Sequence, residues 1–202
     1  DGLHVTVPPY SKTEKVMATL ETFRERLLEQ YRKVEIRPID FSYSIRTACF
    51  RLWLEPSPLK CFTLKQTGEG ICICCPADVD FSCEQVQKLV RAAILRALKK
   101  SAGSYLPPLL EALAERYGFS YRKVKITGAR SRWGSCSAAG TISLSCYLML
   151  LPPHLMDYVL LHELSHTKEM NHGPRFWELL DSLTEGKALS LRAELRNYRP
   201  AF

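Results

Sequence analysis

His162-Glu163-Leu164-Ser165-His166, followed by a third histidine at His172, is the stretch on which the reading of this chain turns. On an α-helix, side chains four positions apart point to one face, so His162 and His166 can offer imidazole nitrogens to a single metal ion. Glu163 sits about 100° further round the helix. That offset makes it a poor ligand beside the histidines, but it can reach a water on the metal and take its proton. This is the general-base role in a zinc hydrolase.

The flanking residues place that helix inside the protein. Between Leu155 and Leu164 only Asp157, His162 and Glu163 are polar. Two imidazoles and a carboxylate in such surroundings are costly unless something satisfies them, and a metal does so directly. Pro152 and Pro153 fit a helix start, where a missing N–H costs nothing. The bland alternative is a core helix carrying the string by chance, and the buried setting and third histidine count against it.

His172 follows His166 by six positions, too far to share the helix face and near enough to swing back after a turn. Asn171 and Gly173 tolerate the left-handed conformation that ends a helix, and Pro174 then opens the next one, Pro174 to Leu183. Metzincins share this spacing, but their motif has a glycine where this chain has Glu169, and no Met-turn is evident downstream. On the residues alone, Glu169 or Glu178 remains an alternative third ligand, as in gluzincins.

A wider set of motifs carries a family resemblance. Arg130-Ser131-Arg132-Trp133-Gly134-Ser135-Cys136-Ser137, Thr141-Ile142-Ser143-Leu144, Pro152-Pro153, Asp157-Tyr158-Val159, the His162 to His166 string and Asn171-His172-Gly173-Pro174-Arg175-Phe176-Trp177 together resemble the YgjP-like metallopeptidases, relatives of the SprT-like and WLM zinc peptidases. Residues 104 to 183 carry the likeness, and the N-terminal half adds little. The resemblance implies one zinc ion held by His162, His166 and His172, with Glu163 as the catalytic acid/base. The asparagine usual in the family after Ile-Ser-Leu is Ser145 here.

At 202 residues the chain can bury a sizeable core. Charges or prolines interrupt every apolar run before it reaches the length of a membrane span, so no membrane is expected as a partner. No signal-peptide pattern is visible, although the start at Asp1 without an initiator methionine leaves room for a missing upstream segment. Eight cysteines with Cys72, Cys74 and Cys75 crowded together suggest no pairing plan; reduced thiols and a cytoplasmic location are expected. A second metal site built from these three with Cys61 or Cys83 is the alternative to a simple buried strand from Ile71 to Cys75.

The expected fold is α+β: a strand-rich N-terminal region with helices over residues 1–103, then a minimal zincin-like core with the HExxH helix over 104–202. In the first part, Asp1-Gly2-Leu3-His4-Val5-Thr6-Val7-Pro8 echoes Glu69-Gly70-Ile71-Cys72-Ile73-Cys74-Cys75-Pro76. The echo suggests a strand-helix unit used twice. Val16 to Val34 and Cys83 to Lys100 have helical periodicity, whereas Cys49 to Leu54 and Cys61 to Leu64 read as strands. After a break at Ser104 to Pro108, a helix runs from Leu109 to Tyr117 and ends at Gly118. Strands at Val124 to Ile126 and Thr141 to Cys146, with a turn at Ser137-Ala138-Ala139-Gly140, give a hairpin beside the histidine helix. An edge strand there can pair with an extended peptide, with Trp133, Ile142, Ser143 and Leu144 lining the cleft. Packing of the hairpin on the helix is the competing role for those four residues.

The net charge is +7, and Arg116 to Arg132 holds six Lys or Arg, no acid, and the aromatics Tyr117, Phe119 and Tyr121. Such interleaving can bind nucleic acid, but strand alternation places many of these charges on a solvated face, so nucleic acid is the less favoured partner. The expected activity is zinc-dependent hydrolysis of a peptide or protein substrate, with Arg132, Tyr147 and Tyr158 as oxyanion-stabilising candidates. The competing classes are a metal-dependent hydrolase of a non-peptide substrate, such as a nucleotide phosphoanhydride, and a nucleic-acid-associated zinc protein. Oligomeric state is not legible.

Overall fold

The computed structural model describes residues 7–33, with the backbone alone at 30–33, and residues 38–199. The first copy of the N-terminal echo, with His4, lies outside the described residues except for its last two positions, as does Val34. The chain divides into one unit up to Arg37 and a second from Pro38 onward.

In the first unit the periodicity expected as one helix is two, α1 (Thr13–Thr22) and α2 (Arg24–Lys33). The break falls at Phe23, whose N–H is shared between the carbonyls of Thr19 and Leu20. The hydroxyls of Thr19 and Thr22 donate to the carbonyls four residues back, at 2.8 and 2.9 Å. Such back-bonding weakens and bends a helix at this point.

The second unit begins with a four-stranded sheet of β1 (Ser44–Arg46), β2 (Arg51–Ser57), β3 (Thr63–Thr67) and β4 (Gly70–Pro76), in the order β1-β2-β4-β3. β2 and β4 run parallel; the outer pairings are antiparallel. Strand alternation sends Leu52 and Leu54 of β2, and Ile71, Ile73 and Cys75 of β4, into the core. The same alternation turns Cys72 and Cys74 to the opposite face, where their sulfurs lie 3.9 Å apart. The strand reading therefore holds: Cys75 cannot share a metal with its two neighbours, and the cysteines are free thiols.

α3 (Glu84–Tyr117) lies against this core through Val90, Ile94, Ala97 and Leu98. It runs without interruption through the break expected at Ser104 to Pro108 and includes Pro107 and Pro108. Each proline removes one backbone bond, a cost of about 3 kcal/mol. The carbonyls left free are those of Gly103 and Ser104, on exposed residues where water can reach them. Meanwhile Ala102, Leu106, Leu110 and Ala114 keep one buried stripe on either side of the prolines. The helix ends as expected at Gly118, left-handed at φ 66°, with the Phe119 N–H closing on Ala114 O at 2.8 Å.

Beyond α3, a three-stranded sheet forms from β5 (Lys123–Thr127), β6 (Gly134–Cys136) and β7 (Thr141–Ser145), in the order β5-β7-β6. The turn Ser137–Gly140 is where it was expected, but it joins β6 to β7, while β5 lies parallel to β7 on the other side. Three residues that include a glycine gave β6 no strand signature. A single 3-10 turn, Cys146–Leu150, leads to α4 (Pro153–Ser165), then α5 (Pro174–Leu183) and α6 (Ala188–Leu195). Ser145 is buried and caps that turn, donating to Ala129 O at 2.6 Å and accepting from the Tyr147 N–H. The architecture is α+β, as expected, and no helix among the described residues is long and apolar enough to cross a membrane.

Candidate metal centre

α4 begins at consecutive prolines and is buried over nearly its whole length, with Leu155, Met156, Val159, Leu160 and Leu164 in the core. Burial of the surrounding stripe carries His162 and Glu163 inward, and His166, still in helical conformation at the C-cap, lies one turn on. After a turn, the chain returns so that His172 stands opposite His162. No left-handed residue is needed for this, contrary to the expectation for Asn171 and Gly173. Neither has positive φ, and Gly173 is extended at φ −78°, ψ −178° as the N-cap of α5.

The three rings meet through their Nε2 atoms, 3.2 Å from His166 to His162 and 3.0 Å from His172 to His162. All three ligand atoms lie within 4.8 Å of one another. Nitrogens bound at about 2.05 Å to a tetrahedral ion are separated by about 3.3 Å, so the spacing suits a single zinc. Among the described residues this is the one such group of three, and the carboxylates of Glu169 and Glu178 are outside it. Glu169 contributes its backbone carbonyl instead, 3.2 Å from His166 Nδ1. With the proton on Nδ1, as that bond implies, His166 presents a bare lone pair at Nε2. Lone pairs facing one another at this distance need a shared proton or a cation.

Burial first, then the neighbouring His166 and His172 and the cationic Arg192, push the His162 imidazole down to about 3. Burial is also the main cause that lowers His166. Both rings are therefore neutral at pH 7, the form a metal binds. Phe176, fully buried, packs against all three rings at centroid distances of 4.6–4.9 Å. Trp177 donates from Nε1 to His172 O at 3.2 Å and so holds the returning loop.

Glu163 is 5 % exposed, and burial raises its carboxyl to about 8. Its Oε2 and His162 Nδ1 are buried atoms without a hydrogen-bond partner. Both are buried polar atoms whose hydrogen-bonding capacity the protein itself leaves open.

The other candidates separate. Ile142 and Leu144 are fully buried in the core, and their strand is central in its sheet with both edges paired. Their burial agrees with the competing role, packing of the hairpin. Trp133 and Ser143 are half-buried. Of the oxyanion candidates, Arg132 is exposed and Tyr147 accepts a hydrogen bond from Arg130 Nε at 3.0 Å. Tyr158 approaches the cluster, its ring centroid 6.1 Å from that of His162.

Two neighbours carried no assigned role in the sequence. Arg192 of α6 rests over the Trp177 ring at 5.0 Å, and nothing in its short helix marks it. Gly134 of β6 faces Glu163 directly. A glycine inside a strand segment is a known sign of close approach, and here it was the available signal.

A family model described as YgjP-like, metallopeptidase domain, matches residues 1–198. No curated protein matches the chain. Among solved structures, the metallopeptidase zymogen abylysin of Pyrococcus abyssi is 26% identical over 45% of this chain and 90% of its own, with a TM-score of 0.41. The zymogen jannalysin of Methanocaldococcus jannaschii is 20% identical over 45% of this chain and 92% of its own, with a TM-score of 0.40.

Proposed function

The chain belongs to the YgjP-like metallopeptidase family, and from that premise we propose that it hydrolyses peptide bonds with one zinc ion held by His162, His166 and His172 and with Glu163 as general base. The observation that carries this reading is the convergence of three imidazole nitrogens on one point, with Glu163, next in sequence to His162, holding a buried carboxylate oxygen that has no hydrogen-bond partner.

A zinc ion bound there would supply Lewis acidity, polarising the scissile carbonyl and acidifying a water to a pKa of about 7. Glu163 acts in its ionised form, which the positive charge of a bound metal ion would favour against the effect of burial; it takes the proton of the attacking water and returns it to the leaving amine. Phe176 packs against all three rings and restricts their orientation, and Trp177 holds His172 through its backbone carbonyl. Tyr158, one turn before His162 on α4, is the candidate hydrogen-bond donor to the oxyanion.

The free edge of β6 supports an extended substrate. Ser145 N donates to Trp133 O at 2.8 Å and Ser137 N to Thr141 O at 3.0 Å, so the alternate pairs of the β6/β7 ladder are bonded at 133, 135 and 137. The backbone N–H and C=O of Gly134 and Cys136 therefore point away from β7, to the unpaired side. Main-chain pairing of this kind accepts many sequences.

Elemental analysis of the purified protein, with cleavage of casein and short peptides, tests the proposal. About one zinc per chain and peptide hydrolysis abolished by chelation are expected. Nucleotide hydrolysis with no peptide cleavage would replace it.

A further inference from the structure

Gly134 stands where β6 passes over Glu163. A Cβ placed on Gly134 would lie 2.5 Å from Glu163 Oε1 and 2.7 Å from both its Cδ and its Cγ. No side chain fits there without displacing the glutamate. The backbone at this position is not left-handed, unlike that of Gly70, Gly118, Gly140 and Gly186. Space therefore, and not backbone freedom, calls for glycine. The Oε2 of Glu163 finds no hydrogen-bond partner and only 5 % of the residue reaches solvent, so packing and not hydrogen bonding at that oxygen holds the glutamate. The close approach of β6 at Gly134 is one wall of that packing.

We infer that Gly134 is a positioning residue: its bare Cα walls Glu163 into its reactive orientation while its outward N–H and C=O guide the substrate strand past the same carboxylate. One residue thus sets the distance between the base and the peptide. The inference rests on the peptidase reading of Glu163 given above. Displacement of a reacting group by about 1 Å can cost roughly 100-fold in rate, and the crowding at Gly134 is of that size.

A double-mutant cycle on the full chain tests it, using Gly134→Ala, Glu163→Asp and the pair together, with kcat and KM read on a peptide that the wild type cleaves. Gly134→Ala should keep its zinc and hold KM within about twofold while kcat falls about 100-fold. Glu163→Asp shortens the side chain that meets the new Cβ, so adding Gly134→Ala to it should cost less than about threefold more. Fully additive losses, or a raised KM with unchanged kcat, would overturn the inference.

A second cycle needs no activity. In metal-free protein, Gly134→Ala should lower the melting temperature by about 3–8 °C beside Glu163, and by less than about 1 °C in a Glu163→Ala background. An equal loss in both backgrounds overturns the inference. If Gly134→Ala folds only when combined with Glu163→Ala, the contact is confirmed in its extreme form; if neither folds, the glycine serves the strand and the inference fails. A wild type that cleaves no peptide would sink the peptidase reading, and the melting cycle would still decide the contact.

Discussion

Replacing Glu163 with glutamine isolates the base from everything else the side chain does. The residue is 5 % exposed and closely walled by Gly134, so a substitute must have nearly the same shape, and glutamine has the same number of heavy atoms. Burial already disfavours the charged carboxylate, so a neutral amide should preserve the fold. The three imidazole nitrogens that converge are untouched. A positioned general base contributes roughly 10²–10⁴-fold, or about 3–5 kcal/mol of barrier. The variant should therefore retain its zinc and its KM while kcat falls by about that factor. Cleavage of an internally quenched peptide, with zinc measured on the same sample, reads both quantities. Near-native turnover would remove Glu163 from the chemistry. Loss of zinc together with turnover would make the side chain part of the metal's hold, and the proposed division of labour would be wrong.

Three further changes probe the surroundings. His172→Ala should lose zinc, because its Nε2 is one of the three that converge; full occupancy with unchanged coordination would hand the third position to Glu169 or Glu178. Tyr158→Phe keeps the ring beside His162 and removes the hydroxyl, so kcat should fall by about tenfold or more with zinc retained. Unchanged kcat would exclude it as an oxyanion donor. Changing Arg122, Lys123 and Lys125, all exposed, to Glu should leave zinc content and peptide cleavage intact. Fluorescence anisotropy with single-stranded DNA is expected to show no binding by the wild type even at low salt, and salt-sensitive binding lost in the triple variant would instead establish a nucleic-acid surface.

The parts of this protein that were legible in its sequence are those whose cause is local. Helical spacing brought His162 and His166 to one face, the pair Pro152-Pro153 marked the start of α4, and Pro174 to Leu183 agrees with α5 at both ends. Gly118 ended α3 because a left-handed cap is a one-residue requirement. The errors share a different origin. Pro107 and Pro108 are strong breakers locally, yet Leu106 and Leu110 are both fully buried, and tertiary packing outweighed the broken hydrogen bonds. A cleft role for Ile142 and Leu144 depends on their strand being an edge; alternation could not say that the strand is central and that the edge belongs to β6.

That last point explains why the substrate side of the site was the hardest to read. An edge strand near a reaction centre must stay short, since a long apolar edge invites pairing with other chains. β6 has three residues, its periodicity is invisible, and its membership of the sheet exists only through partners six to ten positions later. Its key residue contributes by having no side chain at all. The metal ligands announce themselves through chemistry that few residue types can perform, whereas the wall that orients Glu163 is an absence, apparent only once α4 and β6 are placed together. Changing that wall, rather than the ligands, is therefore the more stringent test of the reading, because the predicted loss depends on a contact that the motif alone does not contain.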